Sequence, residues 1–518
     1  MKLVVRTFSR LSPAVLVLTA AMAHRASAQL ISIRTVPLAQ ADQFDIYPSN
    51  NLGMGGVSIA LPDTLLDPFS NPAKAARVAG ARFFGSPTVY SVSSNAGGGR
   101  SLPLGAFARA GRWFGGLAAA VQQVDAAQTN FFPGPIIGIG QPGGGGTILP
   151  GQQQQTGLTD RSHGNLYAVM MAGTTVPESR LSLAGSVSLA NLHAVDGVDL
   201  LYAGSQGVAQ DGHSADLRLG LLKEWQGGQT LEAVVLHNRF GMTHDVTWID
   251  FVWDPGSQQT VGVARQEQNV DRTRTWAAHV ELERPLPAPG WRIGWVTTVN
   301  RMSHPKLPNY QIQQVQSIPR DPGYSTAWNF GIGLSRVHGP MTFGLDAIYE
   351  PIRSNTWADA ATPIPTSAGD TIPAGGRTIE NHFRFSNALF RMGFTRDLEL
   401  SGPDKGLAMQ LGLVVRSIRY RLLQENHVQA SRRNQREAWI EWTPTWGLKF
   451  RFPELEIRYQ GRVTHGTGRP GVAGFGGGVP TLNEAGGGRG IIVAPNGPLA
   501  LDEVSVVTHQ ISISLPIR

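Results

Sequence analysis

The 518-residue chain has no cysteine, so it offers neither a disulfide framework nor a thiolate ligand or nucleophile. Charge is sparse too: Asp, Glu, Lys and Arg make up 16% of the residues, low for a soluble enzyme. Beyond the N-terminal stretch no run reaches 18 apolar residues, which excludes a membrane-spanning helix and leaves strands as the only way to cross a bilayer. The 13 histidines form no HExxH or other metal spacing, and no GxSxG elbow occurs. No metal or cofactor is therefore expected. Gly138 to Gly143 matches GxGxxG in form only, because Pro142 interrupts it and no helix follows to receive a pyrophosphate. His244 beside Asp245 and His193 beside Asp196 are neighbours of a kind common by chance, and the chain is read as a non-enzyme.

Glycine and proline are plentiful instead, 62 and 34 residues. Both disfavour helix interiors, so the composition predicts short extended segments joined by turns and long loops. The opening "MKLVVRTFSRLSPAVLVLTAAMAHRASAQ" has a basic start, an apolar run too short to span a bilayer, and Ala26-Ser27-Ala28 before Gln29. That layout predicts a signal peptide over 1–28, cleaved after Ala28. Its removal takes away Lys2, Arg6, Arg10 and Arg25, and the formal charge falls from +7 to +3. A nucleic-acid partner then has no electrostatic support.

From about residue 81 one pattern repeats: an alternating segment, a tight turn, another alternating segment, then a long polar or Gly-rich connection. Tight turns are read at 111–112, 177–180, 226–228, 285–290, 338–340, 401–406 and 452–454. Long connections are read at 125–161, 193–212, 241–271, 303–323, 352–378, 423–433 and 466–501. This asymmetry is that of an outer-membrane barrel. Within segments every second residue is apolar: Leu181, Leu183, Val187 and Leu189 share one face and Ser182, Ser186 and Ser188 the other. A soluble sandwich alternates as well. The export signal, the turn asymmetry and aromatics near strand ends, such as Trp113-Phe114, Trp248, Trp253 and Trp291, favour the membrane. The expected fold is all-β, an antiparallel transmembrane β-barrel of 14 to 16 strands spanning 81–518, located in a bacterial outer membrane.

The segment "GMGGVSIALPDTLLDPFSNPAKAARVAGARF" begins with Gly53, Gly55 and Gly56, passes through acidic Asp63 and Asp67, and closes on Asn71, Pro72 and Ala73. These glycines permit positive φ and close backbone approach, the two aspartates can cap amides or meet lumen arginines, and Asn71-Pro72 initiates a turn. The order of these elements resembles the N-terminal region of FadL-type outer-membrane transporters of hydrophobic compounds. Lys74 departs from it, standing where that family usually has Gly. Strand-turn-strand units such as "ESRLSLAGSVSLANL" extend the resemblance over roughly residues 50–300. It implies that the N-terminal segment, 29–80, plugs the lumen, and that the barrel passively takes up hydrophobic small molecules, fatty-acid-like or aromatic. Related barrels with the same opening serve as protein-docking or secretion-system scaffolds, which is the alternative role. Expected partners are outer-membrane lipid, a hydrophobic ligand and periplasmic or secretion-system proteins.

Two residue groups follow from these expectations. Phe131, Phe132, Ile136, Ile137 and Ile139 form the apolar half of a Gly-rich loop, a candidate surface for capturing a greasy ligand. By strand parity Asp216, Arg218, Arg292, Asp346 and Arg458 point away from the apolar face, together with His279, Glu281, Glu283, Glu350, Glu456 and Arg462. Bare Arg or Lys facing lipid near the midplane would cost about 2–4 kcal/mol each, so these charges belong to a polar lumen.

Overall fold

The computed structural model describes residues 37, 39–125, 162–195, 207–303, 323–360, 362–399, 406–470 and 501–517. The signal-peptide reading at 1–28 and the apolar loop with Phe131, Phe132, Ile136, Ile137 and Ile139 lie outside the described residues. Sixteen strands form one antiparallel sheet closed on itself. β1 comes in two halves, Ala81–Gly85 and Thr88–Val92. It is followed by β2 (Gly98–Ala110), β3 (Trp113–Asp125), β4 (Ser162–Val176), β5 (Leu181–Leu192), β6 (Gly207–Glu224), β7 (Thr230–Asp254) and β8 (Gln259–Pro285). The second half comprises β9 (Trp291–Ser303), β10 (Gly323–His338), β11 (Met341–Asp359), β12 (Arg377–Glu399), β13 (Gly406–Asn426), β14 (Ser431–Arg451), β15 (Glu456–Pro470) and β16 (Leu501–Ile517). Both halves of β1 pair with β2 on one side and β16 on the other, which closes the barrel and removes every sheet edge. Pro87, which has no N–H to give to a ladder, stands at the break between the halves.

Outward positions are apolar and exposed, including Leu117 at 63%, Leu219 at 63% and Ile440 at 60%, whereas Ser214, Asn300 and Ser354 on the inner face are 0% exposed. A sandwich would bury the apolar face, so this inversion identifies a transmembrane barrel. Trp113 lies outward at the short-turn end, but its neighbour Phe114 points inward, because adjacent strand residues face opposite sides. Two of the expected long connections are largely strand. β7 and β8 run on as a hairpin through most of 241–271, and β13 and β14 carry through 423–433 with a turn only at 427–430. In 241–271 both parities often carry the same chemistry, apolar at Trp248, Ile249, Phe251, Val252 and Trp253 and polar at 265–269, so the contrast between faces that announces a strand is lost there. The strand pattern also shortens 352–378, where a small hairpin pairs Ile364–Pro365 with Thr371–Ile372.

The N-terminal segment packs along the inner face. It contains short helical turns at Ala39–Phe44, Leu52–Met54, Asp67–Ser70 and Pro72–Arg77. Its first part lies at the long-loop end, where Pro37 O accepts from Gly468 N at 2.8 Å and Gln43 Nε2 donates to Ala194 O at 2.8 Å. Its later part lies near the short turns, where Arg77 pairs with Glu224 at 2.9 Å and Arg109 N donates to Gly80 O at 2.8 Å.

Candidate lumen site

Asp63 organises the segment's own fold. Its carboxylate accepts from Ser49 Oγ at 2.6 Å, Asn50 N at 2.7 Å, Leu65 N at 3.0 Å and Leu66 N at 3.1 Å. Asn71 is used in three ways: its Oδ1 accepts from Ala73 N at 3.1 Å, and its Nδ2 donates to Glu232 Oε2 at 2.8 Å and Leu221 O at 3.2 Å. Pro72 then starts the last helical turn, where a missing N–H costs nothing. Ala73 is fully buried, so the Asn-Pro-Ala order has a local reason at each position.

Lys74 reaches from this turn into the wall of β7 and β8. Its Nζ lies 2.7 Å from Glu232 and 3.3 Å from Asp67. Burial pushes the Asp67 carboxyl up to about 6, against the pull of Lys74. Burial opposes the Lys74 charge as well, but Asp67, Glu232 and Glu281 together hold it above the usual lysine value. Glu232, His279 and Glu281 bring one ligand atom each within 4.8 Å of one another, close enough to share a cation. The Lys74 ammonium already supplies one. Sequence spacing concealed this cluster because its members come from two strands and the N-terminal segment, and meet only through the β7–β8 register.

Arg218 donates to Phe69 O at 2.7 Å and Ser70 O at 3.0 Å and pairs with Asp216 at 2.7 Å. Arg292 pairs with Glu283, and Arg458 with Glu456. Asp346 accepts from Ser58 N at 2.9 Å. Asp67 thus meets a lysine, and Asp63 caps amides. Of the three motif glycines, Gly55 has φ of 73° and a Cβ there would sit 3.0 Å from the carbonyl oxygens of Met392 and Leu413; one on Gly53 would press on Gln410 and Gly447. Gly56 also has positive φ, at 67°, but faces open space. The wall answers with glycines of its own: a Cβ on Gly393 or Gly412 would collide with the Met54 backbone, and one on Gly333 with Ile59.

Above the segment, an apolar stripe crosses the inner faces of β10–β13. Ala327, Ile352, Phe385 and Tyr420 form one cross-strand row. Phe383, Leu422 and Trp439 pack on it, with ring centroids of 6.0 Å for Phe383–Phe385 and 5.7 Å for both Phe385–Tyr420 and Tyr420–Trp439. Four residues along the strands, Ile348 and Leu389 form a second apolar row with Val296 and Ile59. Glu350, paired at 3.4 Å with Arg416 beside Leu389, and buried Asn387 lie between the rows. The second row lines a cavity of about 450 Å³ between the N-terminal segment and the wall, apolar at Ile59, Val296 and Leu389 and polar at Arg391, Glu441 and Gln510.

His244 and Asp245 form no dyad. His244 is buried inward while Asp245 faces out and accepts from Gln268 Nε2 at 2.8 Å, and His193 sits 3.6 Å from Asp211. Asp196 lies outside the described residues.

No family model matches the chain, and no curated protein does. Among solved structures it is similar to a Pseudomonas aeruginosa FadL homologue (11% identity, 91% of this chain and 99% of that one, TM-score 0.41). It is similar also to the Pseudomonas putida toluene transporter TodX (10%, 90% and 97%, TM-score 0.36) and to a bacterial polysaccharide outer membrane secretin (5%, 85% and 99%, TM-score 0.38). At these identities and scores the likeness does not choose among neighbours of such different cargo.

Proposed function

We propose that this barrel is an outer-membrane channel for passive uptake of hydrophobic small molecules, a member of the FadL-type group, with its long-loop end outside. The observation that carries the reading is the inward apolar stripe of Ile352, Phe385, Tyr420 and Leu422, continued by Ile348 and Leu389 to the internal cavity. A docking scaffold needs no such surface inside a polar lumen, whereas a greasy ligand needs a place to rest between loops and exit. The N-terminal segment is the plug that keeps the pore shut to ions, and the apolar loop residues Phe131, Phe132, Ile136, Ile137 and Ile139 make the first capture.

The test is binding and liposome uptake of a fluorescent fatty acid and of an aromatic hydrocarbon. Burying one phenyl ring is worth about 1.5–3 kcal/mol, so Phe385→Ser should weaken binding about tenfold or more while leaving heat-modifiable gel mobility unchanged. Deleting 131–149 should slow uptake without removing the internal site. A folded Phe385→Ser variant that binds and transports like its parent would remove the basis of this reading.

A further inference from the structure

The lipid-facing surface carries a row of charge that the channel does not use. Arg353 on β11 stands opposite Arg384 on β12, Arg384 opposite Arg421 on β13, and Arg421 opposite Arg436 on β14. Thr326 on β10 links this row to Arg301 on β9. All five arginines are exposed, on the same faces as the outward Tyr349, Met392, Leu411 and Ile440. Like charges directly opposite one another destabilise a ladder. Arg301, Arg353, Arg384 and Arg436 have no acid partner among the described residues, and Arg421 donates only to the neutral Asn434, at 3.2 Å. Glu380 and Glu425, four residues nearer the loops on this face, are already paired with Arg377 and Arg432. Outward arginines at the short-turn end differ: Arg284 and Arg336 each lie 5.3 Å from a tryptophan ring centroid.

Shape agrees with charge. Arg353, Arg384 and Arg421 line a hollow of about 540 Å³ together with Asn355 and His382. Below it on the same face, a furrow of about 680 Å³ runs among Trp295, Phe330, Tyr349 and Phe390, with the small Ala388 and Ser417 leaving room between them. Tyr349, Ala388 and Ser417 lie four residues below the arginine row, about 13 Å along the strands at 3.3 Å per residue. That is the separation of a headgroup from the upper part of its acyl chains.

We propose that this surface binds a phosphorylated glycolipid of the outer leaflet, its phosphates on the arginine row and an acyl chain in the furrow. Guanidinium groups take phosphate oxygens in paired, charge-assisted hydrogen bonds, which is what a row of otherwise repelling arginines requires. The proposal rests on the outer-membrane reading above, with the long loops outside.

Native mass spectrometry of the full barrel in detergent tests it, with bis-phosphorylated lipid A, the same lipid dephosphorylated, and inorganic phosphate as probes. Bis-phosphorylated lipid should bind about tenfold or more tightly than the dephosphorylated form. R353Q/R384Q/R421Q/R436Q should abolish that preference, R284Q/R336Q should keep it, and Ala388→Trp should weaken both lipids by filling the furrow. A heat-modifiable quadruple variant that keeps the preference would overturn the lipid site, as would complete displacement of the lipid by equimolar inorganic phosphate. Fractionation is the separate arm: a barrel absent from the outer membrane overturns the location and the lipid site together, whereas one correctly located that shows no preference overturns the lipid site alone.

Discussion

The N-terminal segment meets two walls of the same barrel by different physics. On β6–β8 it is held by charge: Lys74 to Glu232 and Asp67, and Arg218 to the carbonyls of Phe69 and Ser70. On β9–β13 it is held by fit: Gly333, Gly344, Gly393 and Gly412 leave space that Ile59, Val57 and Met54 fill, with hydrogen bonds such as Ser335 Oγ to Ala60 O at 2.6 Å around them. A slot cut by missing side chains fixes where the backbone runs and tolerates no intruding atom. A buried ion cluster fixes less, but it responds to protons.

The largest effect is expected from filling the slot. In the double variant Gly393→Val, Gly412→Val both new side chains would meet the Met54 backbone, which cannot yield as a side-chain tip could. Valine suits a strand, so the barrel should still close. Planar-bilayer conductance should rise to that of a chain lacking 51–76, and the segment should become open to protease. Conductance at the parental level in both would show that the segment does not occlude the pore.

Breaking the charged wall should do less. Lys74→Met leaves Asp67 and Glu232 buried without their cation, and removing one partner from a buried pair costs about 3–5 kcal/mol. The segment should dock more weakly, read as faster hydrogen exchange over 63–78 with the barrel amides unchanged. Equal exchange in parent and variant would mean that the slot alone holds the segment.

Asp67 adds a pH dependence of defined sign. Its carboxyl is pushed from 3.8 to about 6 on docking, so the docked form binds the proton more tightly than the free segment. The penalty for the ionised group is present above about pH 6 and is relieved as pH falls from 6 toward 4. At about 1.4 kcal/mol per unit the whole change is on the order of 3 kcal/mol. Docking should therefore tighten on mild acidification, and Asp67→Asn should flatten the profile between pH 4 and 7. A parent whose exchange is constant across that range would contradict it.

Much of the barrel is legible in the alternation, because a polar face and an apolar face differ wherever one meets lipid. The inward parity of Asp216, Arg218, Asp346 and Arg458 follows from that contrast, while tight turns such as 111–112 and 338–340 are read from their Gly, Pro and polar residues. Where both faces share one chemistry the contrast fails. With apolar residues on both parities at 248–253 and polar ones on both at 265–269, 241–271 looks like loop and is mostly hairpin. In "HFRFSNALFRMGF" Phe383, Phe385 and Leu389 face inward while Phe390, Met392 and Phe394 face lipid, so the stripe hides in a segment apolar on both faces. The Lys74 cluster and the arginine row are hidden for another reason: both depend on cross-strand register, which a single strand's pattern does not carry.

The smallest effect should come at the mouth. Arg77 pairs with Glu224 at 2.9 Å, but the Glu224 side chain is 42% exposed, and solvent screens the attraction. Such pairs contribute about 0–1 kcal/mol. Arg77→Met should change exchange over 63–78 by less than about fivefold, far below Lys74→Met, and high salt should bring the parent close to the variant. The two lysine and arginine variants remove the same formal charge only three residues apart in the same turn. If Arg77→Met loosened the segment as much as Lys74→Met, net charge attraction to the acidic wall would be holding it, and the buried contact to Glu232 would have no special part.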